Sequence, residues 1–577
     1  LEVGALELAL DDLDMEKGAE LRERLWAAVE AAEASASESA PSIVELLIGW
    51  ARELGQDALK HRLAIDMQPA VTLQDVMLRT AARDGLPGQE LRLEEARLRL
   101  GDVASEGFDA GWRASGALDT LLTGLSLALQ DGRAEAGFSA FHIASQAIDF
   151  NITRQETKLA FDLAVALEQL TAKDNQGGAL DLQRLTLATD GFAIGETAES
   201  EEASGPVRLA LEGLAATLPD ASGSGGGEGL ALRGESLALD LSPLTLTGKQ
   251  GEAGRLSGSL AAQGLALERG GEAPLAVSLA EVQSALQDVR VAPLDAQASV
   301  EGGLATTLSG IELSAGAATG AVTLSLEKLE NQMTGLQAAG FDSGAPRVSL
   351  ANETRLSALT ARLPLPGGET LEATIASLQA PLSELGFAES AVLAKGGVEV
   401  SGIAVRTDGE EPQTLDLASL SVSGLDGDSA RGVAADSIAL GRLDAKLALP
   451  LPGQTAEQPA GETAATDSEP AETESAAETE TAETESGGAA APRFDKQFQL
   501  GAFTLAPGST IQITDRGVEP PLQATMVLEE VKAGPIDSAA PETRTDLALA
   551  LVLNETSKVQ LRGWAAPLKA KPDFALT

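Results

Sequence analysis

Apolar and polar residues alternate along most of this chain. From about residue 63 to 452 the dominant period is two. "ESLALDLSPLTLTG" carries Leu237, Leu239 and Leu241, then Leu244 and Leu246; "GGVEVSGIAVRTDG" carries Val398 and Val400, then Ile403 and Val405. "QTLDLASLSVSGLDG" carries Leu415 and Leu417, then Leu420 and Val422, and the same alternation places Ile311, Leu313, Val322, Leu324 and Leu326. Period two is the mark of a strand with one apolar face. In the three quoted runs the apolar phase flips after one extra residue. A one-residue slip sends side chains to the opposite face, so each flip predicts a β-bulge or a strand break.

Clusters of Gly, Asp, Asn and Pro punctuate the runs, as in "TDGFAIG", "ERGGEAP", "LPLPGGE" and "RTDGEEP". That cadence predicts an antiparallel meander. No strict fixed-length repeat is present, only a loose recurrence of Leu-x-Leu segments, so the repeating unit is a hairpin that buries its faces against its neighbours.

Two early stretches break the pattern. "AELRERLWAAVEAA" spaces Leu21, Leu25, Ala28 and Val29 as a helix does, and "PSIVELLIGWARELGQ" does so with Ile43, Leu46, Leu47, Trp50 and Leu54. Ser42 and Glu45 fit a capping box. The spacing predicts a helical insertion at about 16–60.

Residues 453–492 are rich in acids, carry no base, and have no core former beyond Thr. Such a tract cannot bury enough apolar surface to offset ordering entropy, which predicts a disordered acidic loop. The expected organisation is an extended antiparallel β body over 1–452, the acidic tract, and a further β module over 493–577.

Composition sharpens this picture. Hydrophobic residues make up 44% of the chain but aromatic ones only 3%, with no Tyr, so the apolar surface is Leu, Val and Ala. Thin repetitive layers suit that mixture better than a thick core. With 41 Lys and Arg against 87 Asp and Glu, the net charge of −46 excludes nucleic acid as a natural partner. No run of eighteen apolar residues occurs, and the chain reads as a piece of a longer protein whose anchor lies outside it.

Catalytic chemistry finds little material. Cysteine is absent, and His61 and His142 are far apart and read as structural or surface residues. Gly248-Lys249 lacks the phosphate-loop context, "SGSGGGEG" at 222–229 fails the dinucleotide fingerprint, and Asp426-Gly427-Asp428 lacks the rest of a calcium loop. The expectation is a non-enzyme with no metal and no cofactor.

The C-terminal stretch "STIQITDRGVEPPLQATMVLEEVKAG", followed by "TRTDLALALVLNETSKVQLRGWAAPL", carries a strand, an Asp-x-x-x-x-Pro turn, and strands closing on Gly-x-x-x-Pro-Leu. Asp515, Val518, Pro520, Pro521, Gly563, Pro567 and Leu568 are the matching positions. Over about 85 residues this resembles the module of bacterial envelope proteins of the AsmA-like superfamily, in a group described as a domain of unknown function, with TamB and YhdP as relatives. The resemblance implies a protein of the Gram-negative envelope, anchored in the inner membrane and projecting into the periplasm. It also implies a long curled antiparallel sheet forming an extended groove that handles phospholipid and supports outer-membrane integrity.

A groove lined by Leu237, Leu239, Leu241, Leu244, Leu246, Ile311, Leu313, Val322, Leu324, Leu326, Val398 and Val400 would offer acyl chains a continuous trough. The expected partners are phospholipid acyl chains, the inner membrane through the anchor, and other envelope proteins. The alternative is a β-rich envelope scaffold that carries no lipid. It differs in one respect: there the apolar faces pack against a second protein layer.

Overall fold

The computed structural model describes residues 5–11, 65–80, 88–106, 111–129, 132–153, 156–197, 201–219, 229–248, 254–271, 273–291, 299–316, 320–340, 346–366, 368–388, 391–409, 412–449, 496–517, 520–569 and 573–577. The helical insertion expected at 16–60, His61, Val518 and the acidic tract at 453–492 lie outside the described residues. Two compact units divide the chain: Leu1–Thr319 with Leu326–Leu350, and Gly320–Ser325 with Ala351–Thr577. The protein is mainly β, a long antiparallel sheet built from repeating hairpins.

In the first unit the strands are β1 (Ala5–Asp11), β2 (Ile65–Thr80), β3 (Gln89–Glu106), β4 (Gly111–Leu129), β5 (Ala134–Thr153), β6 (Glu156–Asp174), β7 (Ala179–Thr197), β8 (Glu201–Leu218), β9 (Leu230–Gly248), β10 (Gly254–Arg269), β11 (Leu275–Val291) and β12 (Ser299–Ala315). Each pairs antiparallel with the next, so the unit is a pure meander. From β2 onward the strands run 16 to 20 residues, about three times the usual length. Sustained period-two alternation without an interrupting turn signal is what allows this.

Two columns of irregularity cross the meander. In the first, every odd strand from β3 to β11 holds one residue more than its neighbours, at the same level. On β9 the pairs Leu241 with Gly258 and Leu244 with Leu256 enclose two residues on β9 and one on β10. The phase flip predicted there is thus a bulge, and the bulge is what keeps Leu237, Leu239, Leu241, Leu244 and Leu246 on one face. On β8 and β12 the facing strand supplies glycine: a Cβ on Gly205 would lie 2.7 Å from the Phe192 Cα, and one on Gly302 would lie 2.9 Å from the Val289 Cα.

The second column runs through the even strands, each of which bends at one residue of positive φ: Asp75, Gly124, Gln169, Gly213, Gly264 and Gly310. Here the register is unchanged, since one residue opposes one.

Of two further strands, β13 (Val322–Ala339) belongs mainly to the first unit and β14 (Arg347–Pro364) mainly to the second unit. That unit holds β15 (Thr370–Ala388), β16 (Ala391–Thr407), β17 (Thr414–Asp428), β18 (Gly432–Leu440), β19 (Leu443–Leu449), β20 (Gln497–Leu505), β21 (Ser509–Asp515), β22 (Leu522–Gly534), β23 (Ile536–Asp537), β24 (Thr545–Leu553), β25 (Ser557–Ala566) and β26 (Asp573–Leu576). Extra residues again fall on the odd strands β15 and β17. The flips predicted at Val400/Ile403 and Leu417/Leu420 are neither bulges nor breaks. They fall at Gly402, whose φ of 61° turns the chain while both partners change phase together and the register holds.

One step departs from the antiparallel rule. β18 and β19 both lie along β17, as one long strand interrupted at Gly441 and Arg442, and β20 and β21 follow them in parallel. Leu449 and Gln497 therefore stand at opposite ends of the β18–β19 length, roughly 60 Å at strand rise. Ser509 fastens the interruption: fully buried, its Oγ donates to the Ala506 carbonyl at 2.8 Å and accepts from the Leu443 N–H at 3.0 Å. Beyond it, β21 and β22 form the hairpin of the Asp-Pro motif. Asp515 accepts from the Gly517 N–H at 2.8 Å, and Pro520 and Pro521 stand exposed in the turn. Gly563 lies on β25 so close to Ala575 that no Cβ fits, and Pro567 and Leu568 turn the chain toward β26.

Candidate apolar face

Directly paired residues on neighbouring strands share a face, so the registers trace continuous rows across the first unit. One row runs Leu6, Leu73, Ala96, Leu122, Phe141, Leu167, Leu185, Leu211, Leu237, Ala262, Val282, Leu308, one residue from each of the twelve strands. Two residues along lies the Leu239 row, which includes Val71, Leu98, Ile143, Val165, Leu187, Leu209 and Leu260. The rows of Leu241 and Leu244 flank the bulge. Past it, a fifth row runs Ile65, Ser105, Ala114, Phe150, Leu159, Ile194, Ala203, Leu246, Gly254, Val291, Val300.

No residue in these five rows is ionisable, and the polar exceptions are isolated hydroxyls such as Thr120, Ser145, Thr189 and the hydrogen-bonded pair Ser284 and Thr306. The opposite face carries the charges. His142 Nε2 lies 2.6 Å from Asp119 Oδ1, Arg113 pairs with Asp149 at 3.1 Å and Arg208 with Asp240 at 3.3 Å. Asp288 is bridged by Arg290 and Arg255, which hold its carboxyl below the usual range. A carboxyl held low contributes above its ordinary pKa and loses that contribution as pH falls through the folded value. The expected result is a carboxyl carbon-13 titration of Asp288 below the ordinary Asp value, restored by the double variant Arg255→Ala and Arg290→Ala.

The apolar rows are not sealed. Of the whole described chain only eleven hydrophobic side chains are buried, whereas twenty large ones are exposed, Leu246 by 51% and Ile194 by 43% among them. Of the twelve lining candidates, Leu326 and Val400 are buried, Leu246 and Val322 are exposed, and the remainder are half-buried. Leu237, Leu239, Leu241, Leu244 and Leu246 stand together on β9. Ile311 and Leu313 sit on β12 beyond the bend at Gly310, paired with Leu279 and Val277. Val322, Leu324 and Leu326 lie on β13.

The chain matches no family model, no curated protein and no solved structure.

Val398 and Val400 belong to the second unit, whose rows are equally continuous. Leu378, Val400, Leu420, Leu440, Leu505, Val531, Leu549 and Leu561 pair in succession, passing through the parallel step without a polar residue. Among the described residues no group of three His, Cys, Asp or Glu side chains is placed to hold a metal ion.

Sequence reasoning passed over the aromatic side chains of this face. Trp112, Phe150, Phe161 and Phe192 fall on β4 to β7, where Trp112 meets Phe150 edge-on at 5.6 Å and Phe161 meets Phe192 at 5.6 Å. Their signal was available, since no aromatic residue occurs in β8 to β12.

Proposed function

We propose that the apolar face binds phospholipid acyl chains and lets them pass along the sheet, as the periplasmic part of an AsmA-like envelope protein anchored in the inner membrane. One observation carries this reading: five adjacent rows cross eleven strands without an ionisable side chain and are left half-exposed to solvent. At strand spacing and rise that band measures about 50 Å by 27 Å. Soluble proteins rarely leave more than a few hundred Å² of contiguous apolar surface uncovered. An apolar ligand laid on this band would remove that exposure.

An acyl chain suits it for three reasons. It needs no hydrogen-bonding partner, and the band offers almost none. Its burial gains about 0.8 kcal/mol per methylene wherever it lies. The rows also repeat every strand, so displacement by one strand exchanges like for like, and a lipid held in this way slides without crossing a specific barrier. The C-terminal resemblance supports the same reading, of an activity between the inner and outer membranes in support of outer-membrane integrity, with other envelope proteins as partners.

The test is lipid extraction and mass spectrometry on the chain purified from a bacterial periplasm, beside a variant carrying Leu187→Asp and Leu239→Asp, two strands apart on one row. The expected result is at least one phospholipid per chain in the parent and a tenth or less in the variant. Each substitution on a half-exposed face should cost about 1–2 kcal/mol of stability, short of the larger losses that follow from burying an unpaired charge. A well-folded parent without lipid would mean that protein covers the face, and the scaffold would take its place.

A further inference from the structure

The apolar rows hold almost nothing that can form a hydrogen bond, and at their bulge-side margin one donor stands without a partner. Trp112 on β4 is 7% exposed, yet its Nε1 is buried without any hydrogen-bond partner. It pairs across the strands with Ile152, which pairs with Thr157, forming the row next beyond the one through Ala114, Phe150 and Leu159. Phe150 packs edge-on against it. Buried N–H groups are almost always satisfied, so this donor is free to take an acceptor from a bound molecule.

We infer that Trp112 marks a subsite for the ester carbonyl of a bound acyl lipid, with the acyl chain lying on the rows beside it. This rests on the lipid reading of the apolar face and adds to it the place where the polar end of the lipid is held. The chemistry of the donor narrows the acceptor. An indole N–H donates only, and it is neutral. No cation stands in the five rows, and Arg113, the residue after Trp112, lies on the opposite face and is already matched by Asp149. A phosphate would be drawn to an Arg or Lys, whereas an uncharged carbonyl oxygen attached to an apolar body fits one neutral donor at the edge of an apolar surface. Tryptophan takes that position at membrane interfaces for the same reason.

The experiment compares vesicles of an ester-linked phosphatidylcholine with vesicles of its ether-linked counterpart, equal in chain length and headgroup. Lipid bound per chain is measured for the full 577-residue chain and for Trp112→Phe. The expected result is a preference of about tenfold for the ester lipid in the parent, the equivalent of one hydrogen bond in a site sheltered from water, falling to none in Trp112→Phe while ether-lipid binding is unchanged. Equal binding of the two lipids by the parent would overturn the subsite and leave the lipid reading of the face intact, and this comparison needs no variant. An ester preference that survives in Trp112→Phe would also overturn it, assigning the contact to another donor. Binding of neither lipid would overturn both.

Discussion

Gly396→Val should destabilise the second unit by about 3–5 kcal/mol, one of the two largest single-residue effects expected in the molecule. Gly396 lies on β16 where β15 carries its extra residue, with a φ of 153° that L-residues rarely adopt. A Cβ there would run into the Pro381 carbonyl oxygen and the Leu382 Cα, both backbone, so no rotamer change relieves it. Either β16 retreats from β15 or the bulge is lost. Losing the bulge would slip the register beyond it and turn a run of apolar side chains to the wrong face. Hydrogen exchange should report the damage as lost protection in β15, β16 and β17, with β1 to β12 unchanged, because each strand is held mainly by its neighbours. Gly335→Ala is the control: its φ is 60° but no atom lies within 4 Å of the added carbon, so only the conformational cost of about 1–2 kcal/mol applies. Equal effects from the two substitutions would show that the close approach at Gly396 is not what matters.

Ser509→Ala should cost about 2–4 kcal/mol, a large effect for the loss of one oxygen atom. The hydroxyl is fully buried and serves two backbone groups at once, accepting from Leu443 N–H and donating to the Ala506 carbonyl. Removing it leaves both without a partner, and each orphaned buried group costs roughly 1–3 kcal/mol. Ser509→Thr keeps the oxygen and adds a methyl to a site with no free space, so it should fall between Ala and the parent. Urea unfolding followed by a probe in the second unit would rank the three. A Ser509→Ala variant as stable as the parent would mean that water reaches Leu443 and Ala506.

Much of this fold could be read from the chain because alternation is a local signal. Leu237, Leu239 and Leu241 announce a strand, and "RTDGEEP" announces the turn after β16, without knowledge of any partner. The repeat of the bends could not be read. The positive-φ position of the even strands is glycine in Gly124, Gly213, Gly264, Gly310 and Gly402 but Asp75 in β2, Gln169 in β6 and Ala358 in β14. A conformation recurs there while the letter does not. The two kinds of phase flip look alike in sequence for a related reason: whether the partner strand gains a residue too is a property of the pair. The apolar face was visible one strand at a time, but its continuity depends on registers, and registers follow from bulge positions that no single strand contains. Trp112 was passed over because a lone indole between Gly111 and Arg113 carries no signal of its own, and only its unpartnered N–H sets it apart.

The parallel step between β18–β19 and β20–β21 sets a timetable for the nascent chain. From β15 to β18 each new strand can fold back on the one just made, and β19 continues along β17, so the growing edge of the second unit closes as soon as the next strand emerges. At β19 that rule stops. Its next neighbour lies beyond residues 450–496 and arrives pointing the same way, so no hairpin can deliver it. At about 5–20 residues per second, the β18–β19 edge waits for several seconds with its backbone unpaired. Whatever attends this protein during its synthesis meets it at that edge. A chain halted between residues 450 and 496 would present the same edge permanently and is the form most prone to pairing with a second copy.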